Sequence, residues 1–405
     1  MSLRVLVSGL GVGLGLGAVG CGGFEVPSPD ENAAGASAMS EHLPSSAVCA
    51  AEDDEPLTNE YPQGLRVVGN RIEDSNGTRL FLRGVNRSGS EYRCVQGGGF
   101  FDGACDEASV RAMKTWNINA VRVPLNEACW LGLDSAPADF AGEAYKRAIQ
   151  SYVHLLHKYA LIPILDLHWS RAGDAPADSL DPMPNADHSP ALWRDVAATF
   201  ADDTGVIFEP FNEPFPDRNR DTTAAWECWR DGCMAQGWEA NAVPYQAAGM
   251  QELVTSIRDT GATQLILLGG VVYSNALTRW RDYRPSDPLD NVAPAWHIYN
   301  FNDCSSLDCW SAAPQALAQD FPIVATEIGQ DDCQADFIEP LMSFLDQQAA
   351  GYLAWSWNVQ GQCQAASKDH AGNPWPLIAS FETATPNSPY AKAFRDHVLE
   401  PLPEP

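Results

Sequence analysis

The stretch VIFEPFNEPFPD, residues 206–217, combines an apolar run typical of a buried strand with two glutamates, Glu209 and Glu213. Side chains alternate along a strand, so these two glutamates share one face. Four residues at a rise of ~3.3 Å each place Glu209 roughly 13 Å deeper than Glu213. We therefore predict that Glu209 is a buried structural carboxylate, paired with an arginine such as Arg83 or Arg122. Glu213 is predicted to lie at the end of the strand.

A proline, Pro210, interrupts the same run. Proline has no N–H to donate to a sheet, so a bulge or irregularity is expected near it. Such an irregularity would let Asn212 and Glu213 both reach one cleft, whereas strict alternation points neighbours to opposite faces.

Seven further apolar runs along the chain resemble this one, and amphipathic helical stretches such as AYKRAIQSYVHLLHKYA lie between most of them. The fifth helix is poorly marked. Alternating strands and helices favour an α/β fold with a closed parallel sheet, a (β/α)8 TIM barrel. Ahead of the first run, Asn76-Gly77 predicts a type I′ β-hairpin that leads into the barrel. The eight runs are residues 80–86, 118–124, 161–168, 206–213, 264–270, 293–299, 322–327 and 351–358.

The composition excludes some classes of partner. The chain has 405 residues, 45% of them hydrophobic, and a formal net charge of −28. Nucleic-acid binding depends on Lys and Arg, so this acidity argues against it and fits an uncharged partner. The acidity also has a simpler explanation, which is that it keeps the protein soluble.

The N-terminus has the pattern of an export signal. MSLRVLVSGLGVGLGLGAVGCGG begins with one positive charge, continues with a short apolar run, and ends in small residues. AVGC also resembles a bacterial lipobox, in which Cys21 carries a lipid anchor, although Ala18 replaces the usual Leu. A plain cleaved signal is the alternative. We predict a signal peptide over 1–21, a disordered linker over 22–61 and a barrel domain over 62–400. The protein is expected to be a secreted or surface-anchored bacterial monomer.

Ten cysteines remain when Cys21 is set aside, an even number that suits an oxidising compartment. Neither a CxxC spacing nor a Cys/His cluster is present, so we expect disulfides that staple the βα loops rather than a metal site. Proximity in sequence suggests the pairs Cys94–Cys105, Cys228–Cys233, Cys304–Cys309 and Cys333–Cys363, with Cys49–Cys129 as the fifth.

Polar or aromatic side chains stand at or near the carboxyl ends of the predicted strands, where the βα loops of such a barrel converge. Each one taken alone could merely cap a strand, but the whole set predicts an active site. The set consists of Arg122, His168, Asn212, Glu213, His297, Tyr299, Glu327 and Trp357.

Two of these residues form a carboxylate pair. Glu213 ends the fourth predicted strand and Glu327 the seventh, so they face each other across the barrel mouth. Glycoside hydrolysis uses one protonated carboxyl to protonate the leaving oxygen and one ionised carboxyl to attack the sugar or to activate water. A separation of ~5 Å would match the retaining reaction.

The motifs resemble glycoside hydrolase family 5, the cellulase family of retaining barrel enzymes, over roughly residues 65–394. FNEP resembles the family's acid/base motif and VATEIG its nucleophile motif. AVRVP, LDLHW, WHIYN and AWSWN resemble the segments that carry the family's arginine, histidines, tyrosine and tryptophan. The resemblance implies that Glu213 is the acid/base and Glu327 the nucleophile.

The resemblance also implies roles for the other six residues. Arg122 and Tyr299 would hold the nucleophile, and Asn212 would bind the sugar 2-hydroxyl. His168 and His297 would contact the substrate or the acid, and Trp357 would offer a flat face to a sugar ring. Neither a cofactor nor a metal is expected.

Other interpretations stay open at this point. A metal-dependent hydrolase could use His168, His297 and the carboxylates, and a non-catalytic carbohydrate-binding protein could share the fold. Asn126-Glu127 repeats the Asn-Glu pair but is interpreted as a loop or rim contact. Among the loop tryptophans, Trp130 and Trp169 are the best candidates for sugar platforms, whereas others such as Trp355 are more often packing residues. An endo-β-1,4-glucanase is the leading substrate hypothesis, with a β-mannanase or an exo-acting β-glycosidase as the alternative.

Overall fold

The computed structural model describes residues 60–237, 243–359 and 375–401. These residues belong to one compact unit, Pro44–Pro405. The predicted signal peptide, the lipobox cysteine Cys21 and the linker up to residue 59 lie outside the described residues. Tyr61, the last residue of the predicted linker, is described, and its ring stacks on His157 at a centroid distance of 3.8 Å.

Eight parallel strands close into a barrel, which confirms the predicted fold. Each of the eight apolar runs contributes one strand, in chain order around the barrel, and the last strand pairs with the first. The barrel strands are β4 (Arg83–Asn86), β5 (Ala120–Asn126), β6 (Ile162–Trp169), β7 (Ile207–Glu209), β10 (Ile266–Gly269), β11 (Val292–Tyr299), β12 (Val324–Gly329) and β13 (Gly351–Ala354). Five short strands lie outside it: β1 (Arg66–Val68), β2 (Arg71–Glu73), β3 (Arg79–Leu80), β8 (Met234–Ala235) and β9 (Tyr245–Gln246).

Helices connect the barrel strands in the described chain, as the amphipathic patterns predict. The poorly marked fifth helix is the single turn Trp280–Tyr283, which explains its weak periodicity. The helices are α1 (Glu107–Lys114), α2 (Glu127–Leu131), α3 (Glu143–Lys158), α4 (Ser189–Thr199), α5 (Pro216–Asn219), α6 (Thr223–Asp231), α7 (Met250–Arg258), α8 (Trp280–Tyr283), α9 (Leu307–Trp310), α10 (Ala313–Ala318), α11 (Ile338–Gln347) and α12 (Pro389–Leu399), with a 3-10 turn at Ala138–Phe140. No helix in the described part of the chain is long and apolar enough to cross a membrane.

The N-terminal hairpin is present, but its turn differs from the prediction. Strands β2 and β3 pair antiparallel, and β1 adds a third strand. A type I′ turn requires positive φ at both central residues, and here Gly77 has a φ of +78° while Asn76 is not in that region. The side chain of Asp74 instead accepts hydrogen bonds from the backbone N–H groups of Asn76 and Thr78, which produces a wider turn.

Disulfides fasten the loops as expected, but two of the predicted pairs are wrong. Cys228–Cys233 and Cys304–Cys309 are bonded as predicted. Cys94 is bonded to Cys129 across the loops after β4 and β5, which rules out both Cys94–Cys105 and Cys49–Cys129.

Two more described cysteines, Cys105 and Cys333, are disulfide-bonded. Cys363, the predicted partner of Cys333, lies outside the described residues, as does Cys49. Nearness in sequence misled the prediction at Cys94, because the barrel brings the loops of neighbouring strands together.

Candidate active site

Six of the eight predicted site residues are joined by hydrogen bonds at the carboxyl-terminal mouth of the barrel. Each is positioned by a strand or by the residues directly after one. The six are Arg122 on β5, Asn212 and Glu213 after β7, His297 and Tyr299 on β11, and Glu327 on β12.

Arg122 is the hub of this cluster and is fully buried. Its Nη1 donates to Glu327 Oε1 at 2.7 Å, its Nε to Glu209 Oε2 at 2.6 Å, and its Nη2 to Asn212 Oδ1 at 2.7 Å. The Nη2 atom also lies 3.1 Å from Asp166 Oδ1. Several surrounding carboxylates therefore offset the cost of burying the guanidinium, whose pKa they raise.

Glu213 and Glu327 face each other as predicted. One carboxylate oxygen of each and a ring nitrogen of His297 all lie within 4.8 Å of one another. Retaining glycosidases hold their two carboxyl groups ~5–5.5 Å apart, and the close approach of these oxygens is consistent with that spacing. The side chain of Glu213 is 16% exposed and that of Glu327 is 5% exposed, so Glu213 is the more accessible from the cleft.

The two carboxyls differ in their electrostatic surroundings. Burial raises the pKa of Glu213 well above its ordinary value, and the charge of Glu327 raises it further. Burial also raises the pKa of Glu327, but the Arg122 charge and a hydrogen bond from the Tyr299 hydroxyl, 2.5 Å from Glu327 Oε2, oppose that rise. The surroundings therefore favour the protonated form at Glu213 more than at Glu327.

The surroundings favour the neutral form of both histidines of the mouth. Burial, reinforced by the Arg122 charge, lowers the pKa of His297 well below its ordinary value. The same two causes lower the pKa of His168 to about 3. His168 Nδ1 lies 2.7 Å from Asp166 Oδ2. When Asp166 is ionised, Nδ1 donates to it, which leaves Nε2 as the acceptor of the neutral ring.

One predicted platform is wrong. Trp357 is fully buried, and its ring packs edge-on against Trp116 at 5.0 Å, so it has no free face for a sugar. The tryptophan of this segment that remains accessible is Trp355, which is half-buried and stacks on His168 at 5.3 Å. Trp130 is also fully buried and donates to Asp195, whereas Trp169 is half-buried.

The segment around Pro210 is irregular, as predicted, because β7 ends at Glu209. Pro210 contributes only its carbonyl, which accepts a hydrogen bond from Trp193 Nε1. Beyond it the chain leaves regular strand geometry, and Asn212 and Glu213 both contact residues of the mouth. Glu209 is fully buried and paired with Arg122; Arg83 pairs instead with Asp346, on the outer helix α11.

The second Asn-Glu pair is structural. Glu127 begins α2 and is fully buried, where it accepts hydrogen bonds from Ser189, Asn185 and the backbone of Arg171. Burial raises its pKa to about 7. Its role is to hold the long loop between β6 and α4 rather than to contact the cleft.

Sequence reasoning missed Thr326, whose hydroxyl lies between His297 and Glu209. Strict alternation would turn Thr326 away from the face that carries Glu327. Val324 pairs with Ala295 on the neighbouring strand β11, and Glu327 pairs with His297. Between these two pairs β12 therefore contains one residue more than β11. This irregularity lets both neighbours face the barrel interior, and the sequence carries no sign of it.

A cation could in principle use Glu213, His297 and Glu327, the group that offers three close donor atoms among the described residues. Two of these donors are already hydrogen-bonded to each other, since His297 Nδ1 lies 3.0 Å from Glu213 Oε1. Glu327 is in turn occupied by Arg122 and Tyr299. The donors present are better matched to one another than to a metal ion.

Two facing carboxylates at the mouth of a closed (β/α)8 barrel are the arrangement found in glycosidases, enzymes that hydrolyse O-glycosyl bonds. The family model for Cellulase (glycosyl hydrolase family 5) matches residues 74–361. The chain belongs to glycosyl hydrolase family 5.

Individual relatives are distant. A mannan endo-1,4-beta-mannosidase of Salipaludibacillus agaradhaerens is 20% identical over 73% of this chain and 81% of its own length. An endoglucanase of Clostridium saccharobutylicum is 20% identical over 79% of this chain, which spans 62% of that protein. The structure of a beta-glucanase of Saccharophagus degradans in complex with cellotetraose has a TM-score of 0.59 and 17% identity, and the match covers 85% of this chain and 98% of that one.

Proposed function

We propose that the protein hydrolyses β-glycosidic bonds of a polysaccharide by double displacement, with retention of configuration. Glu327 is the nucleophile and Glu213 the acid/base. The observation that carries this proposal is the pair of carboxylates within 4.8 Å, one of them placed against a guanidinium. Inverting enzymes hold their two carboxyl groups ~6.5–9.5 Å apart to admit a water molecule, so the shorter spacing here favours a retaining enzyme.

In the first step, Glu327 attacks the anomeric carbon while Glu213 gives its proton to the leaving oxygen. The bond to the leaving group breaks and a bond between Glu327 and the sugar forms. Arg122 and the Tyr299 hydroxyl each occupy one oxygen of Glu327, and so orient the carboxylate for attack. The raised pKa of Glu213 keeps it protonated for this step.

In the second step, Glu213, now ionised, takes a proton from a water molecule, which attacks the anomeric carbon and releases Glu327. Asn212 is oriented by its hydrogen bond from Arg122, so its amide N–H groups are free to meet a substrate hydroxyl. We propose Trp355, stacked on His168, as the aromatic surface for the sugar ring in place of Trp357.

The substrate we favour is a β-1,4-glucan cut internally, with a β-mannan as the second candidate. Relatives named endoglucanase and mannan endo-1,4-beta-mannosidase support these two classes. A pocket of about 460 Å³ lies beside the segment that carries the acid and is lined by Phe215, Arg171, Asp181 and Tyr245. Phe215, which lines this pocket, follows Glu213 by two residues. We propose that sugar units of the leaving group extend into it, as cleavage of internal bonds requires.

A substrate panel tests this proposal. We expect carboxymethylcellulose to be cut faster than mannan or xyloglucan, with a rapid fall in viscosity because internal bonds break first. Measuring reducing ends and viscosity together separates endo from exo action. A preference for mannan would support the second candidate, and release of single sugars without loss of viscosity would indicate an exo-acting β-glycosidase. Absence of turnover on every glucan, mannan and aryl glycoside would support a non-catalytic binding protein.

Removal of metal ions is expected to leave the activity unchanged. The proposed chemistry uses two carboxyls, and the potential metal donors are engaged with one another. Hydrolysis rates should therefore agree before and after treatment with EDTA and dialysis. Loss of activity that returns on adding zinc would favour the metal-dependent hydrolase instead.

A further inference from the structure

Glu209 and Glu213, the two glutamates of one short stretch, are joined by a continuous chain of hydrogen bonds. Glu213 Oε1 lies 3.0 Å from His297 Nδ1, and His297 Nε2 lies 3.1 Å from Thr326 Oγ1. The Thr326 hydroxyl in turn lies 2.8 Å from Glu209 Oε1. Except for Glu213, every member is fully buried, so bulk water does not compete for these bonds.

The direction of this chain follows from counting protons. Burial raises the pKa of Glu209 to about 7, and the charge of Arg122, which donates to Glu209 Oε2 at 2.6 Å, opposes that rise. Above this pH Glu209 is ionised and accepts at both oxygens. A threonine hydroxyl has one proton, and here it goes to Glu209. His297 Nε2 must then donate to Thr326, and because the ring is neutral, Nδ1 must accept. The remaining donor is the carboxyl proton of Glu213.

The reverse tautomer of His297 is blocked while Glu209 is ionised. If Glu213 loses its proton, its oxygen and the unprotonated Nδ1 become two acceptors facing each other at 3.0 Å. The neutral ring carries one proton, so Nδ1 could donate only if Nε2 gave its proton up. Nε2 would then be an acceptor, and Thr326 would have to turn its hydroxyl proton toward Nε2 and away from Glu209. Such a gap in a buried chain is costly, so the chain opposes ionisation of Glu213.

We propose that Thr326 and Glu209 are positioning residues that act through His297 to keep the catalytic proton on Glu213. This inference rests on the proposed role of Glu213 as the acid. Glu209 is thus more than a structural partner of Arg122, because its ionised form sets the direction of the chain. A proton on Glu209 reverses every bond in it: Glu209 donates to Thr326, Thr326 to Nε2, and Nδ1–H to Glu213.

Charged and titratable groups on several strands also act on Glu213. The charges of Glu327, Asp166 and Glu209 raise the pKa of Glu213, the charge of Arg122 lowers it, and Tyr299 interacts with Glu213 as well. Burial brings the pKa of Glu209 itself to about 7, with Arg122 opposing the rise. Thr326 carries no charge of its own, so a Thr326 variant acts on Glu213 through His297 and through the hydrogen bond by which Thr326 lowers the pKa of Glu209.

Three variants test the inference. Thr326→Val keeps the shape but removes the hydroxyl, so His297 becomes free to donate from Nδ1 to an ionised Glu213. Glu209→Gln directs its amide oxygen to Arg122 and its NH2 to Thr326, which imposes the reversed chain. Thr326→Ser keeps the hydroxyl and is the matched control. In the wild type, kcat/KM falls at high pH as Glu213 loses its proton, and we call this fall the basic limb of the pH profile. We expect its midpoint to move down by about 1 pH unit, the equivalent of one hydrogen bond, in Thr326→Val and in Glu209→Gln. Thr326→Ser should leave the midpoint unchanged.

Leaving-group dependence provides the second readout. Aryl glycosides with a 2,4-dinitrophenyl group leave without acid help, whereas phenyl glycosides need it. We expect the kcat/KM of Thr326→Val to fall at least ~10-fold more on the phenyl glycoside than on the dinitrophenyl glycoside, because only the phenyl glycoside depends on a protonated Glu213. Thr326→Ser should keep the wild-type ratio.

Equal losses on both substrates with an unshifted basic limb, in both Thr326→Val and Glu209→Gln, would overturn the inference and indicate a purely structural role. If Thr326→Val does not fold, as judged by thermal unfolding, Thr326→Ala takes its place, because it also removes the hydroxyl without removing the charge of Glu209. The proposed function fails separately, and only if Glu213→Ala itself shows no dependence on the leaving group.

Discussion

Glu327→Ala is expected to lower hydrolysis by ~10⁴-fold or more, the largest effect of any single substitution in this chain. The alanine has no oxygen to attack the anomeric carbon, so the first step cannot form a glycosyl-enzyme. Removing the carboxylate also leaves the charge of Arg122 less balanced in a buried site. The measurement is kcat on the polysaccharide that the substrate panel identifies.

Azide distinguishes loss of the nucleophile from loss of the fold. The cavity left by Glu327→Ala admits a small anion, which attacks from the same face and gives an α-glycosyl azide when the substrate carries a good leaving group. Glu339→Ala, which removes an exposed glutamate from α11, is the matched control and should retain wild-type rates. Full activity in Glu327→Ala would exclude Glu327 as the nucleophile.

Glu213→Ala is expected to show the second largest effect, and its size depends on the leaving group. Without the acid, substrates with poor leaving groups should lose ~10²–10⁴-fold in kcat/KM, while 2,4-dinitrophenyl glycosides keep most of their first-step rate. Azide should then give a β-glycosyl azide, because it replaces the activated water of the second step. An equal loss on both kinds of substrate would contradict the assignment of Glu213.

The pH profile of the wild type follows from the same pair. Activity requires Glu213 protonated, so it falls as pH rises through the raised pKa of Glu213. It also requires Glu327 ionised, so it falls as pH drops through the pKa of that group, which burial raises too. Both limbs therefore lie above the range of exposed carboxyls, and Glu213→Ala should lose the basic limb.

Strand ends made most of the site predictable from the sequence. Arg122, His297, Tyr299 and Glu327 lie on strands that the apolar runs mark clearly, and a barrel brings the ends of such strands together. Glu209 was predicted to be buried and paired with an arginine because side chains alternate along a strand and Glu209 precedes Glu213 by four residues. The structure pairs it with Arg122. For these residues, the sequence pattern and the geometry of a barrel were sufficient to predict their positions.

The remaining features depend on packing that a single sequence does not encode. Trp355 and Trp357 differ by two positions, and only their neighbours decide that Trp116 buries one while the other stays accessible. Cys94 and Cys129 are 35 residues apart and meet because adjacent strands carry their loops. Thr326 reaches the interior through an irregularity of β12 that leaves no composition signal.

The most direct test of the account is to trap the covalent intermediate. A 2,4-dinitrophenyl 2-deoxy-2-fluoro glycoside, built on the disaccharide unit of the preferred polysaccharide, forms the glycosyl-enzyme quickly and releases it slowly. Peptide mapping by mass spectrometry should find the added mass on Glu327 alone, with the first hydrolysis product of ordinary substrates in the β configuration. A label on another residue, or an α product with no label, would contradict the double displacement through Glu327.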